Sequence, residues 1–413
     1  MGGGKTVSIN AGFLPLLDAS LLIVARERGF CELEGVDLRL HRETSWATIR
    51  DRLAVGHFDV AHLLAPMPIA AALSGGPMDI RLIAPMALGL GGNAVTVSGS
   101  VWTAMLDKGA EETGDARING QALARVCAAR RAQGAKPLRL GVVHRFSSHN
   151  LELRYWLVGS GIEPDVDAEF TVVPPPFMAD ALKSGQIDGF CVGEPWSALA
   201  VEMGAGVIAT TKSSVWRCSP EKVLGVSAEW ADVNADALAR LIRALSWASA
   251  WCGDPGNAEE LADLIAGPQY LDQPPARLLR GLSGCMPLTQ NGRERQIDDF
   301  LLFHDRAATF SWISHALWFY AQMVRWGMFE HSPGAAALAR EIYRPDIYRK
   351  ALAGTGIGTP NASLKVEGAL DEVTDMPAAQ GRIRLGPDGF FDGRSFDPDL
   401  LDVYIDENRR KIP

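Results

Sequence analysis

The chain has 413 residues, 47% of them hydrophobic and 22% charged, which fits a folded globular protein and excludes disordered, collagen-like and membrane-domain compositions. It is longer than one hydrophobic core usually supports, so two or three domains are expected. A formal net charge of −9, with 40 Lys and Arg dispersed along the chain, excludes a general nucleic-acid surface and requires any anion to be held at a local site.

Met1-Gly2-Gly3-Gly4-Lys5 runs into Thr6-Val7-Ser8-Ile9-Asn10, which reads as a first strand without the charged, apolar and cleavage regions of a secretory signal. A cytoplasmic location is expected on that ground. Gly2 with Thr6 matches a loose myristoylation pattern, and the plainer reading is an ordinary N-terminal start. No apolar run reaches the ~18 residues of a membrane span, and none is expected to enter a membrane.

An apolar face of Leu21, Leu22 and Ala25 predicts a helix over 18–28, stopped by Gly29. Val36, Leu38 and Leu40 then alternate with Asp37, Arg39 and His41, the period of a half-buried strand. Thr44-Ser45 caps an element over 46–55, and Asp59-Val60-Ala61 resumes as a strand. The pattern recurs with Leu138, Leu140 and Val142, a helix over 148–158, and Phe170-Thr171-Val172-Val173. Such alternation predicts an α/β fold in two lobes, each with a largely parallel sheet. Residues 1–95 with 216–413 are expected to form the first lobe and 96–215 the second. Asn93-Ala94-Val95-Thr96-Val97 and Gly206-Val207-Ile208-Ala209-Thr210 are expected to cross between them, leaving a ligand cleft.

From Glu229 the sequence turns mainly helical, with Trp247, Trp251, Trp312, Trp318 and Trp326 spaced as core residues. The tail from Gly354 is expected to wrap the surface, and Gly354-Thr355-Gly356-Ile357-Gly358 is a loop without the flanking strand and helix of a dinucleotide site. Six cysteines lie scattered without CxxC or Cys/His spacing, so reduced, mostly buried thiols are expected and no metal or cofactor.

Familiar catalytic signatures are absent. Three donors stand at the starts of elements: Trp46 after Thr44-Ser45, His149 after Ser147-Ser148, and Lys222 after Ser219-Pro220. Free N–H groups and the positive dipole end make a capped helix start an anion site. Singly, these residues read equally as a core tryptophan, a first-turn surface histidine and a solvated lysine. In Asp188-Gly189-Phe190-Cys191-Val192-Gly193-Glu194-Pro195-Trp196-Ser197 an apolar strand ends at Gly193, where a ligand can approach the backbone, or the run is simply a strand ending in a rigid turn.

Gly12-Phe13 with Pro15-Leu16-Leu17-Asp18, Ser45-Trp46-Ala47-Thr48-Ile49-Arg50-Asp51, Arg154-Tyr155-Trp156-Leu157, Phe190-Cys191-Val192-Gly193-Glu194-Pro195-Trp196 and Pro220-Glu221-Lys222 together resemble the NrtA/CmpA family over nearly the whole chain. These are nitrate- and bicarbonate-binding components of ABC importers. The resemblance implies a two-lobed, periplasmic-binding-protein-like (type II) fold with the anion in the cleft. It also implies a ligand set of Trp46, Asn93, His149, Gly193 and Lys222, although the Asn93 position commonly holds the longer Gln in the family.

Nitrate carries only acceptor atoms, so its site should present donors and a balancing cation with no carboxylate facing it. Bicarbonate-binding relatives resemble this pocket with an acid at the lysine position and a calcium ion alongside, and Lys222 argues against that version. Cytoplasmic NasS-type nitrate sensors resemble the same lobes, which implies nitrate or nitrite as ligand and an RNA-binding antiterminator of the ANTAR type (NasT-like) as partner. The sensor is the reading favoured at this stage. Its rivals are an importer's extracytoplasmic binding protein and, in another class, an enzyme on the same fold with His149 as general base.

Overall fold

Apolar stretches in the first quarter of the chain fold as β1 (Val7–Phe13), β2 (Val36–Arg42), β3 (Val60–Leu64) and β4 (Leu82–Ala87) in a computed structural model that describes residues 6–75, 80–379 and 382–409. The Gly2 myristoylation pattern lies outside the described residues. After a two-residue strand, β5 (Leu90–Gly91), the chain continues through β6 (Asn93–Ser98), β7 (Leu138–Val142), β8 (Ala168–Val172), β9 (Gly189–Gly193), β10 (Gly206–Thr211) and β11 (Lys222–Ser227).

Two five-stranded sheets result, ordered β2-β1-β3-β11-β4 and β10-β6-β9-β7-β8. In the first, β1 runs parallel to β2 and β3, and β11 runs antiparallel to β3. In the second, β7 runs parallel to β8 and β9, and β6 runs antiparallel to β9. Each sheet is thus a βαβαβ unit, whose parallel strands need helical crossovers, closed by a reversed strand that arrives from the other sheet.

That topology positions the site. Ligands in such sheets gather beyond the carboxyl ends of the parallel strands. The turn carrying Asp18 follows β1, Trp46 follows β2, His149 follows β7, and Gly193 is the last residue of β9. The reversed strands begin at the same edges. Asn93 opens β6 opposite Gly193, and Lys222 opens β11 opposite Leu64, the last residue of β3. The two edges meet where the Leu17 N–H donates to the Glu194 carbonyl at 3.0 Å.

Several expectations are corrected. Asn93–Val97 and Gly206–Thr210 do not cross between sheets, because β6 and β10 pair with each other inside the second. The crossings are 88–92 and 212–221, which bond to one another through Gly91 N–H to the Ser219 carbonyl at 2.9 Å, while the Leu88 N–H donates to the carbonyl of Lys222, the first residue of β11, also at 2.9 Å. Gly91 sits at φ 75°, and a Cβ there would strike the Phe300 carbonyl. Lys222 opens a strand, so the capped-helix argument applies to Trp46 and His149 and not to it.

The C-terminal half is mainly helical, and its helix Ile313–Arg325 packs on the helix Ser148–Gly159 of the second lobe through Trp318 and Tyr155, whose rings lie 5.8 Å apart. Residues 216–413 therefore touch both lobes. Trp312 and Trp318 are buried as expected, whereas Trp247 is 40% exposed. The tail does more than wrap the surface. Phe390 stacks on Trp216 of the second crossing at 4.6 Å, and the Phe391 N–H donates to the Val215 carbonyl. Five of the six cysteines are buried and all are free.

Candidate functional site

Serine caps set the two helix starts. Ser45 Oγ accepts from the Thr48 N–H at 3.2 Å, which places Trp46 at the first helical position, and Ser147 Oγ accepts from the Asn150 N–H at 3.1 Å, which does the same near His149. Each cap leaves neighbouring N–H groups at the site's edge.

Trp46, Asn93, His149 and Lys222 are all at most 1% exposed. A chain of short approaches joins them. Lys222 Nζ lies 5.2 Å from the Trp46 ring centre and 2.8 Å from Asp18 Oδ2. A Cβ on Gly193 would lie 3.0 Å from Asn93 Oδ1 and 3.8 Å from Asp18 Oδ2. Lys222 also donates to Glu221 Oε1, which stands 3.3 Å from His149 Nδ1. The five residues named from the sequence thus occupy one interlobe region.

Within it the indole Nε1 of Trp46, both amide atoms of Asn93 and Nε2 of His149 are buried without a hydrogen-bond partner. Buried polar groups are rarely left so, and each orphan costs about 1–3 kcal/mol. Such a concentration of orphans beside an ammonium is the chemistry of a small polar ligand site.

Sequence reasoning missed the acids and the second histidine. Asp18 and Glu221 flank Lys222, in a site whose anion was expected to face no carboxylate. They are already occupied within the protein: Asp18 Oδ1 stands 2.9 Å from His62 Nε2, and Glu221 accepts from Ser148 Oγ and Lys212 Nζ. Lys212 in turn lies 3.1 Å from Glu152 Oε1. Asp18 and Glu221 sit inside the quoted motifs, but nothing in their spacing announces a shared lysine.

The electrostatics follow from burial. Burial alone would raise the Asp18 carboxyl, but Lys222 and His62 hold it down at about 2. Glu221 is likewise held well below the carboxylate range, since His149, Lys212 and Lys222 outweigh its burial. Burial pushes Glu152 up to about 8 against the pull of Lys212. His149 falls to about 3 through burial, with Lys222 and Lys212 adding to the effect and Glu221 opposing it. Among the described residues no group of three or more His, Cys, Asp and Glu is arranged to hold a metal.

Two mixed sheets closed by exchanged strands, with buried donors where their carboxyl edges meet, define a two-lobed solute-binding protein. Residues 2–266 match the NMT1-like family. The nitrate/nitrite binding protein NrtA of Synechococcus elongatus is 31% identical over 406 residues, covering 96% of this chain and 85% of that protein. The nitrate import ATP-binding protein NrtC of Synechocystis is 32% identical over 355 residues, covering 85% of this chain and 51% of that protein. The crystal structure of the periplasmic nitrate-binding protein NrtA from Synechocystis PCC 6803 superposes with a TM-score of 0.84 at 25% identity, covering 98% and 99% of the two chains. The chain belongs to the NMT1-like family, among the NrtA/CmpA substrate-binding proteins.

It is accordingly a binding protein and not an enzyme, which removes the general-base role considered for His149. The expected cytoplasmic location is also corrected. The structural relative is a periplasmic protein, and the N-terminal residues behind that expectation decide nothing.

Proposed function

We propose that this chain captures nitrate, or the closely similar nitrite, between its lobes as the extracytoplasmic solute-binding component of an ABC importer. The observation that carries the reading is the set of orphaned buried donors at Trp46, Asn93 and His149 beside the ammonium of Lys222. A small planar anion accepts from the indole, the amide N–H and the ammonium, and Gly193, where a Cβ would lie 3.0 Å from Asn93 Oδ1, brings bare backbone beside the orphaned amide. The names of the relatives point the same way, one a nitrate/nitrite binding protein and one the ATP-binding component of a nitrate importer. Neither is a sensor, and nothing among them favours the antiterminator partner expected from the sequence.

The test is calorimetry of the purified chain against nitrate, nitrite, bicarbonate and an alkanesulfonate. Nitrate or nitrite should bind most tightly. Preference for bicarbonate or the sulfonate would overturn the assignment.

A further inference from the structure

The side chains at this site balance their own charge. Lys212 and Lys222 face Asp18 and Glu221, two ammoniums against two carboxylates, and the third acid, Glu152, is protonated at neutral pH because burial lifts it to about 8. A monoanion entering this cluster leaves one buried negative charge uncompensated, and such a charge is normally avoided by taking up a proton.

Two histidines could accept that proton, and their partners separate them. His62 has both nitrogens engaged: Nδ1 accepts from the Leu14 N–H at 3.5 Å and Nε2 faces Asp18 Oδ1 at 2.9 Å. Protonating His62 would displace the Leu14 N–H. His149 has Nδ1 at 3.3 Å from Glu221 Oε1 and no partner at Nε2. The Glu221 carboxylate only accepts, so it favours the tautomer with hydrogen on Nδ1 and a lone pair on Nε2. That lone pair repels the oxygens of nitrate. The imidazolium donates from both nitrogens instead.

We propose that nitrate enters this site together with one proton, taken up at Nε2 of His149, and that Glu221 is the positioning residue that makes the proton necessary by fixing the neutral tautomer. The inference rests on the reading of this cleft as the anion site. The charged groups around His149 are Glu221 and Lys212 from the second crossing, Lys222 from β11, Asp18 from the turn after β1 and, on its own helix, Glu152 beside Lys212. Among the acids here burial raises Glu152, to about 8, so at about pH 7 it already holds its proton.

The experiment is calorimetry with sodium nitrate at about pH 7 in two buffers of widely different ionisation enthalpy. The difference in apparent heat counts protons exchanged on binding, and uptake close to one is expected. Affinity should fall by up to tenfold per pH unit between about pH 6 and 8, because the complex holds a proton that the free protein lacks. His149→Gln should bind nitrate more weakly, and the binding that remains should carry no proton uptake. Glu221→Gln frees the tautomer and removes one negative charge, so its uptake should drop towards zero while binding persists. Equal heats in the two buffers for the wild-type chain would overturn the inference and leave the anion site standing. Absence of nitrate binding would overturn both. The wild-type comparison needs neither variant to fold.

Discussion

Lys222 Nζ lies 2.8 Å from Asp18 Oδ2, with the lysine fully buried and the aspartate nearly so, and this pair joins the turn after β1 to the start of the returning strand β11. Truncating one partner of a buried pair leaves the other charge uncompensated, which typically costs about 3–5 kcal/mol. Lys222→Ala should lose stability of that order in urea unfolding and weaken nitrate binding by two orders of magnitude or more. Adding Asp18→Asn should recover part of the stability and none of the binding. A single variant as stable as wild type would deny the pair its structural weight, and affinity within threefold of wild type would remove Lys222 from the ligand set.

Asn93 is expected to trade stability for binding. Its amide is fully buried with neither atom bonded, so it is paid for only when a ligand occupies the site. Asn93→Leu, close in shape, should stabilise the chain in nitrate-free buffer by about 1 kcal/mol or more and weaken nitrate binding at least tenfold. Loss of stability in that variant would show that the amide has a partner in the folded protein.

Gly193 should be sensitive to a single methyl group. A Cβ there would lie 3.0 Å from Asn93 Oδ1 and 3.3 Å from Leu16 Cδ2, contacts that give by a few tenths of an ångström. Gly193→Ala should therefore change stability by less than about 1.5 kcal/mol while lowering affinity about tenfold or more, since the methyl fills space beside the orphaned amide. Unchanged affinity would place the anion away from the carboxyl end of β9.

How much of this was legible in the sequence depends on the range of the interaction. The period-two run at 36–40 and the serine caps at 45 and 147 are local, and they mark β2 and the helix starts at Trp46 and Ser148 within a residue or two. Asn93–Val97 shows where local reading stops. Its composition announces a strand, but which sheet receives it depends on pairing with Gly189–Gly193 about a hundred residues away. Family resemblance named the donors at the site. It did not reveal that Asp18 and Glu221 close on the same lysine, because Asp18 and Lys222 are 204 positions apart. Phe390 stacking on Trp216 is invisible for the same reason, which is why the tail was expected to stay on the surface.

The stability of the protein in nitrate-free buffer should depend on pH through buried or half-buried histidines and carboxyls whose windows oppose each other. His149 falls from an ordinary 6.5 to about 3, so the unfolded chain binds a proton that the folded one refuses, and stability is lost as pH drops through that interval. Glu152 rises from 4.5 to about 8, so its contribution is complete below 4.5 and is lost as pH climbs towards 8. Two further groups join them, His144, which burial lowers to about 4, and Glu194, which burial raises to about 7. Between 4.5 and 6.5 the histidines and the carboxyls oppose each other at about 1.4 kcal/mol per pH unit per group, and a plateau is expected there. Above the plateau the raised carboxyls act, Glu194 up to about pH 7 and Glu152 up to about pH 8, and stability falls with rising pH. Below it His149 and His144 act first, joined by Asp18, whose contribution is present above 3.8 and fades as pH nears 2. Urea unfolding followed by tryptophan fluorescence across this range should show the plateau. Glu152→Gln should remove the part of the alkaline fall above about pH 7, and His149→Gln should make the acid fall shallower. A fall between about pH 7 and 8 that persists in Glu152→Gln would assign it to another group and return a negative charge to the anion site at neutral pH.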